Sequence, residues 1–300
     1  VTSISVGIPA YNEAQYIGAA IQSVLDQSHP ADEVLVFDNA STDGTERIAA
    51  ALLPAEAVRR APTNVGAVEN FNRAVRDSAG EYFAWLGADD LLFPDFLART
   101  AELLDARPEV DAAFAYVEYF DNDGNVLYHD RNRQLNDPSL RRRIRSYIRR
   151  VRWCEVYSLY RRQALLASPM FVPAYGGDVL LGWWFVLRGT IRVVEEPLLR
   201  KRVDDRDRSD AAMMKSLGAT PARRRGHRAA IWRALWRDAA REGIPRAATR
   251  IARQELLLAL TGRSWLQSFA ADHISIESQG RIKRALERAL GRPLKQSTPA

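Results

Sequence analysis

The sequence predicts an α/β protein with an open, mostly parallel sheet flanked by helices, followed by an all-helical C-terminal unit. Three observations carry this expectation. Apolar runs suited to strands alternate with helical patterns through the first half, as in strands joined by crossover helices. Four of those runs end in polar turns bearing acids or amides. From about residue 211 the pattern is helical only, which sets the expected division at 1–210 and 211–300. Three hundred residues with 47% hydrophobic content can bury a core of this size.

Ile4 to Ile8 reads as the first strand and runs into PAYNE (Pro9 to Glu13). Ile17, Ile21, Val24 and Leu25 then mark one face of a helix, with Asn12 as its expected N-cap and Glu13 in its first turn. Val34 to Phe37 is the second strand and ends in DNASTDGT (Asp38 to Thr45), where Asp43 and Glu46 resemble a capping box. Val58 to Arg60, the weakest run, precedes NVG (Asn64 to Gly66), and a third helix runs from about Ala67 to Ala79, closed by Gly80. Tyr82 to Leu86 ends in GADD (Gly87 to Asp90), and a fourth helix begins near Pro94, a good first-turn residue. Val110 to Phe120 reads as a strand, and Asp121 to Gly124 as the hairpin turn into Val126, Leu127 and Tyr128. Residues 129–152 are polar and Arg-rich and read as a helix or flap. Trp153 to Tyr160 reads as a strand, Asp178 to Arg188 as a helix, and Ile191 to Val194 and Leu198 to Val203 as short strands.

The single cysteine, Cys154, excludes an internal disulfide, and no Cys/His cluster has zinc spacing. The first strand begins almost at once, which reads as a chain without signal or transit segment. No apolar run approaches the roughly 18 to 20 residues of a spanning helix, so a cytoplasmic location is expected. Residues 1–210 hold 25 Lys/Arg against 31 Asp/Glu, and residues 211–300 hold 18 against 6. An acidic body with a basic appendage implies that the appendage meets an anionic surface or partner. Arginines there surround apolar helical faces at Pro221 to Glu242, Ile251 to Leu260 and Ile282 to Leu290. Two readings stand: packing or homo-oligomerisation, and contact with an anionic membrane such as the inner face of the plasma membrane. Nucleic acid is disfavoured by the acidic body and the lack of a binding motif.

In an open α/β sheet, ligands bind beyond the carboxyl ends of the strands. Four polar turns there suggest one site for something rich in hydroxyls, with a metal. The first turn lacks Gly-x-Gly-x-x-Gly and any Walker sequence, so neither a dinucleotide nor a triphosphate cradle is expected. It offers instead the ring of Tyr11 and the carboxylate of Glu13, suited to a base and ribose hydroxyls; the plainer reading is packing and helix-end stabilisation. Asp38 is placed to accept a base N–H. The adjacent acids Asp89 and Asp90 repel unless a cation or donors offset them, and hard oxygens suit Mg2+ or Mn2+; a solvated capping turn is the alternative.

Together these turns resemble the family 2 glycosyltransferases of GT-A fold, over roughly residues 3–210. Any one turn is common; four in this order are specific. The resemblance implies that Pro9, Tyr11, Glu13 and Asp38 hold the nucleoside of a nucleotide-diphosphate sugar, with Asn64 and Asn72 near the nucleotide or sugar. It implies that Asp89 and Asp90 serve ribose, metal and diphosphate. Tyr175 to Asp178, followed by Leu180, Leu181 and Arg188, resembles the segment that supplies the catalytic base of inverting members, which points to Asp178; helix capping is its plainer role. Trp183 and Trp184 are acceptor-side candidates, with core packing expected of at least one. Glu195 to Asp204 resembles the family's late strand and loop, with Arg202 near phosphate and Asp204 as a third metal candidate. Gly87 stands where many members have the first acid of Asp-x-Asp, and Asp204 where a histidine is common, so the sequence departs from the family's metal set at these two positions. The Gln-x-x-Arg-Trp sequence of processive synthases is absent.

The implied activity is transfer of a single sugar, with inversion, to an acceptor hydroxyl of a glycan, lipid-linked or small molecule, in bacterial surface-polysaccharide or glycoconjugate synthesis. The implied cofactor is Mn2+ or Mg2+. The rivals are a nucleotidyltransferase, which would want a glycine- and basic-rich loop after the first strand, and an inactive relative that binds or scaffolds.

Overall fold

The computed structural model describes residues 2–149, 154–173, 177–203 and 244–261. Outside them lie Trp153, Tyr175, Gly176, Asp204, the expected boundary near 211, the basic helices at 221–242 and 282–290, and the tail from Gln296. The strands are β1 (Ile4–Ala10), β2 (Glu33–Asp38), β3 (Tyr82–Trp85), β4 (Leu91–Leu92), β5 (Ala112–Phe120), β6 (Val126–Asp130), β7 (Leu159–Arg161) and β8 (Ile191–Arg202). The helices are α1 (Ile17–Leu25), α2 (Thr45–Leu52), α3 (Ala67–Arg76), α4 (Phe96–Ala106), α5 (Leu140–Arg149), α6 (Arg162–Leu166), α7 (Gly177–Arg188) and α8 (Arg246–Thr261).

The strands form one sheet in the order β2-β1-β3-β7-β5-β8-β4, with β6 paired to β5. Pairing is parallel among β2, β1 and β3 and between β5 and β8, and antiparallel elsewhere. The open α/β sheet is present, but it is mixed. Only the first three strands are joined throughout by helical crossovers, whereas β5 returns into β6 through a tight turn at Asp121 to Asn125. The chain divides into the units Val1–Ala252 and Arg253–Ala300, and the sheet belongs to the first. No described helix is long and apolar enough to cross a membrane.

β1 is buried along its whole length, as expected of a central strand covered on both faces. Its one polar interior side chain, Ser5, is satisfied: its hydroxyl donates to Glu33 (2.6 Å) and accepts from the Gly80 amide (2.8 Å). Gly7 lets α3 approach closely, since a Cβ there would stand 3.0 Å from that of Ala74.

Several local expectations are corrected. Asn12 does not cap α1, which starts at Ile17; Asn12 takes a positive φ of 55° and its side chain accepts from the Thr42 amide instead. Asp43 does receive the amide and hydroxyl of Thr45 at the start of α2, but Glu46 gives no reciprocal bond and pairs with Arg60 (3.0 Å). The Val58 to Arg60 run makes one parallel bridge, Val36 to Val58, because a single apolar residue cannot anchor a strand. α3 ends at Arg76, short of Ala79. Of the predicted strand ending at Tyr160, only Leu159–Arg161 pairs. The two short strands after Ile191 are one strand, β8; its register against β5 jumps from Val194 to Pro197. The bulge leaves out Glu195 and Glu196 and accommodates the proline, which lacks a ladder donor.

Gly80 is a steric requirement of this packing. A Cβ there would lie 2.5 Å from the Ser5 hydroxyl and 2.6 Å from its backbone nitrogen. Gly80→Ala should therefore destabilise the fold by about 1–3 kcal/mol, read from the midpoint of urea unfolding; an unchanged midpoint would show that β1 and the turn before β3 separate freely.

Candidate active site

The turns at the carboxyl ends of β1 and β2 are stitched into one body. The Asn12 amide donates to Ser41 Oγ (2.9 Å), the Glu13 amide to Thr45 Oγ1 (2.8 Å) and the Ala14 amide to Asp43 Oδ2 (2.9 Å). The third turn is tied on through Asn39, whose amide donates to Asn64 Oδ1 (2.9 Å) while its oxygen accepts from the Val65 amide (2.8 Å). Tyr11 stands 48% exposed on this body, its ring open to a ligand. Pro9 is buried, paired across to Phe37.

Asp38 is fully buried at the end of β2. Its Oδ2 accepts from Arg60 (2.7 Å) and from the Ser41 amide (3.2 Å). Its Oδ1 has no hydrogen-bond partner. A buried carboxylate oxygen without a donor is costly, and a ligand N–H supplied there would satisfy it.

The Gly87–Asp90 turn is held from the other side of the sheet by the end of β8. Asp90 is fully buried, and its two oxygens accept from Lys201 Nζ (2.7 Å) and the Arg202 amide (2.9 Å). Burial pushes the Asp90 carboxyl up from its ordinary value while Lys201 pulls it down. Lys201, drawn down by burial, is held well above its ordinary value by Asp90 and so stays protonated. Its ammonium also lies over the Tyr157 ring, 4.6 Å from the centroid. Arg202 donates to the Asp89 carbonyl (3.1 Å), and its guanidinium packs between the rings of Tyr16 (4.4 Å) and Phe120 (4.5 Å). That contact with Tyr16 links the acidic turn to the start of α1.

Asp178 opens α7, half-buried, its Oδ1 accepting the Val179 amide (2.9 Å). Burial pushes its carboxyl up to about 6; the amide bonds and the charge of Lys201 act the other way without cancelling it. The charge of Lys201 is felt by Asp178 as well as by Asp90. α7 is held at this point by Tyr147 of α5, which donates to the Val179 carbonyl (2.9 Å) and packs so close to Gly182 that no side chain fits there. The strand-end turns of β1 and β2 are thus joined to the acidic turn through Arg202 and Tyr16, and the acidic turn is joined to β8 through Lys201.

Comparison with known proteins identifies the family and the fold. The family model for Glycosyl transferase family 2 matches residues 5–167, more than half of the 300. The chain belongs to that family. A putative teichuronic acid biosynthesis glycosyltransferase, TuaG of Bacillus subtilis, is 35% identical over 119 residues, which cover 39% of this chain and 46% of TuaG. An uncharacterized glycosyltransferase of Rickettsia bellii is 32% identical over 130 residues, 43% of this chain but only 19% of the rickettsial one, so the chain spans a minor part of these relatives. Among solved structures, S. aureus TarS 1-349 in complex with UDP-GlcNAc superposes with a TM-score of 0.65 at 18% identity, covering 95% of this chain and 80% of that one. The mannosyltransferase PcManGT from Pyrobaculum calidifontis, in complex with GDP-Man and Mn2+, gives 0.58 at 22% identity, covering 96% and 81%. The fold of this family 2 glycosyltransferase is GT-A.

The structure sorts the predicted site residues. Pro9, Tyr11, Glu13, Asp38 and Asn64 lie on the joined turns of β1, β2 and the third segment. Asn72 is elsewhere engaged: its amide bonds both the carbonyl (2.9 Å) and the amide (3.0 Å) of Phe171, clamping that backbone. Arg202 is spent on holding the acidic turn. Trp183 and Trp184 are both buried, as core packing was expected of at least one; Trp183 lies alongside Tyr147 and Trp184 lies under the Arg188 guanidinium. Lys201, Arg60 and Asn39 were not assigned roles from the sequence. Lys201 was findable: period two puts it on the face opposite Arg200 and Arg202.

The expected metal set is also revised. Among the described residues, no group of three or more His, Cys, Asp or Glu could hold an ion. Asp90 has both oxygens engaged, and Asp204 lies outside the described residues. Asp89 remains, which fits only the mode in which an ion shares one or two carboxylates with substrate phosphates. The glycine of the acidic turn follows from the same packing: a Cβ on Gly87 would stand 2.5 Å from Asp90 Oδ2 and 3.3 Å from Asp89 Oδ1. Restoring an acid by Gly87→Asp should therefore lower stability by about 1–3 kcal/mol and not tighten Mn2+ binding, as checked by denaturant unfolding and calorimetric Mn2+ titration. Tighter binding at unchanged stability would contradict the clamp.

Proposed function

We propose that this chain transfers a single sugar, with inversion, from a nucleotide-diphosphate sugar to a hydroxyl of a glycan acceptor, with Asp178 as the base. The observation that carries the reading is Asp178 at the start of α7, its carboxyl raised by burial to about 6 and within the influence of Lys201, which itself grips the acidic turn. A base and a diphosphate-facing turn at one place are what displacement at an anomeric carbon needs. TarS was solved with UDP-GlcNAc and PcManGT with GDP-Man and Mn2+, which supports a nucleotide-sugar donor on this fold. The name of TuaG supports a wall-polymer acceptor.

In this reading the base of the nucleotide lies against Tyr11 and gives an N–H to Asp38 Oδ1. Glu13 accepts from ribose hydroxyls, and Asp89 faces the diphosphate. A divalent cation shared by Asp89 and the diphosphate would offset charge on the leaving group. Asp178 orients the acceptor hydroxyl and takes its proton as the hydroxyl attacks opposite the leaving diphosphate. A carboxylate that titrates near 6 is a better base than an ordinary aspartate and is still ionised at neutral pH.

Asp178→Asn keeps the capping acceptor but cannot take the proton. It should lower turnover, followed by nucleoside diphosphate release, by roughly 10²- to 10⁴-fold while nucleotide affinity holds. Wild-type kcat/KM should fall as pH drops through about 6. The stability sign is opposite to that of a salt-bridged acid. Because the folded pKa is raised, ionising Asp178 destabilises the fold as pH rises from near 4 to 6. The asparagine variant should thus match wild type in Tm at pH 3.5 and exceed it at pH 7. Near-wild-type turnover of the variant would remove Asp178 as the base.

A further inference from the structure

The Arg-rich segment after β6 contains α5, and one of its arginines is buried. Arg143 is 6% exposed, at the place where α5 meets the turn between α7 and β8. Its Nη1 donates to the carbonyls of Asp137 (2.6 Å) and Pro138 (3.4 Å). Its Nε is buried and has no hydrogen-bond partner among the described residues. Its Nη2 lies against Gly189, where a Cβ would stand 3.0 Å away. The carbonyl bonds thus use one end of the guanidinium and leave the Nε–Nη2 edge. That edge is the kind that grips a carboxylate or phosphate through two parallel bonds.

A second guanidinium converges on the same turn. Arg192, at the start of β8, donates through Nη1 to the carbonyls of Gly189 (2.8 Å) and Ile191 (2.7 Å). Burial, and then the charge of Arg192, pull the Arg143 guanidinium down from its ordinary value, against Asp137. Burial and the charge of Arg107, which ends α4, lower Arg192 in turn, against Glu109. Three arginines therefore repel one another, with Asp137 and Glu109 as their countercharges. The hydroxyl of Thr190, in the same turn, is also buried without a partner. A water satisfies an N–H, but only an anion offsets neighbouring cations as well. Leu140, Gly189, Thr190 and Arg192 around the edge are part-exposed, so a small group can reach it.

We propose that the α7–β8 turn is a binding site for a phosphate-type oxyanion, held by the Nε–Nη2 edge of Arg143 with Arg192 beside it. Two guanidiniums suit a dianion better than a single carboxylate. Asp178 and Arg188 stand at opposite ends of α7, about 15 Å apart along its axis, so the site is separate from the proposed base. It is independent of the reading of the chain as a transferase. A free phosphate and the head of an anionic lipid offer the same chemistry, and the test separates them.

The whole chain is titrated with inorganic phosphate at constant ionic strength, chloride making up the balance, because screening alone shifts stability. The Tm of wild type should rise and saturate, as for any ligand that binds only the folded chain. Exclusion of phosphate from the surface would instead stabilise every variant alike. Arg143→Lys keeps the charge without the fork, and Arg192→Gln removes the second charge. Each should weaken phosphate binding by about tenfold to a hundredfold. Equilibrium dialysis of radiolabelled phosphate reads the same constants without unfolding. Arg192 is the more exposed of the two, so its variant decides the matter should Arg143→Lys fail to fold. Flotation with phosphatidic acid vesicles, present in wild type and lost in Arg192→Gln while free phosphate has no effect, assigns the group to a lipid. Wild type that holds neither phosphate nor these vesicles overturns the site. Equal phosphate affinity in wild type and Arg192→Gln also overturns it, by placing the anion elsewhere.

Discussion

Two opposite charges buried against each other, Asp90 and Lys201, join parts of the chain 111 residues apart and fix the acidic turn against the end of β8. Asp90 belongs to the turn that ends β3, and Lys201 to the far end of β8. Removing either partner from such a pair leaves a charge stranded in the interior, which is why these interactions are hard to break even when their net contribution is small. Here the pair brings the acidic turn and the late strand to one place. The neighbouring Arg202, packed between Tyr16 and Phe120, carries the connection on to the turn after β1.

The same pair divides labour between two adjacent acids. Asp90 is fully buried with both oxygens bonded to the end of β8, whereas Asp89 is only part-buried, so two carboxylates adjacent in sequence have different surroundings. Gly87 completes the logic, because the volume a third acid would need is filled by Asp90 itself. Asp178 stands apart from both in chemistry: burial lifts its carboxyl towards neutrality, while Lys201 restrains the lift. Asp90 and Asp178 are therefore both influenced by one buried ammonium.

Much of this was legible in the sequence, for reasons that differ by element. β1, β2, β3 and β5 announce themselves as apolar runs, and α7 as a long buried helix opened by a glycine and an acid. The polar turns at strand ends were visible because the end of a strand is a local property. What was not legible is non-local. Asn12 looked like a cap, yet its backbone is turned by bonds to Ser41 and Thr42 from another loop. Glu195 to Pro197 looked like a break between strands, and β5 carries β8 across it by a bulge. The bond of Asp90 to Lys201 could not be read locally, because the partner lies 111 residues along the chain. Lys201 was passed over between two arginines, although alternation alone put it on the inner face.

The central claim is that the Asp90–Lys201 pair organises the site, and a double-mutant cycle on folding stability tests it most directly. Asp90→Asn and Lys201→Met should each destabilise the chain by about 3–5 kcal/mol, since each strands the other charge. The double variant strands neither and should be no worse than the single ones, giving a coupling of several kcal/mol. Additive losses, within about 0.5 kcal/mol of the sum, would mean that the two residues do not depend on each other and that something else holds the acidic turn in place.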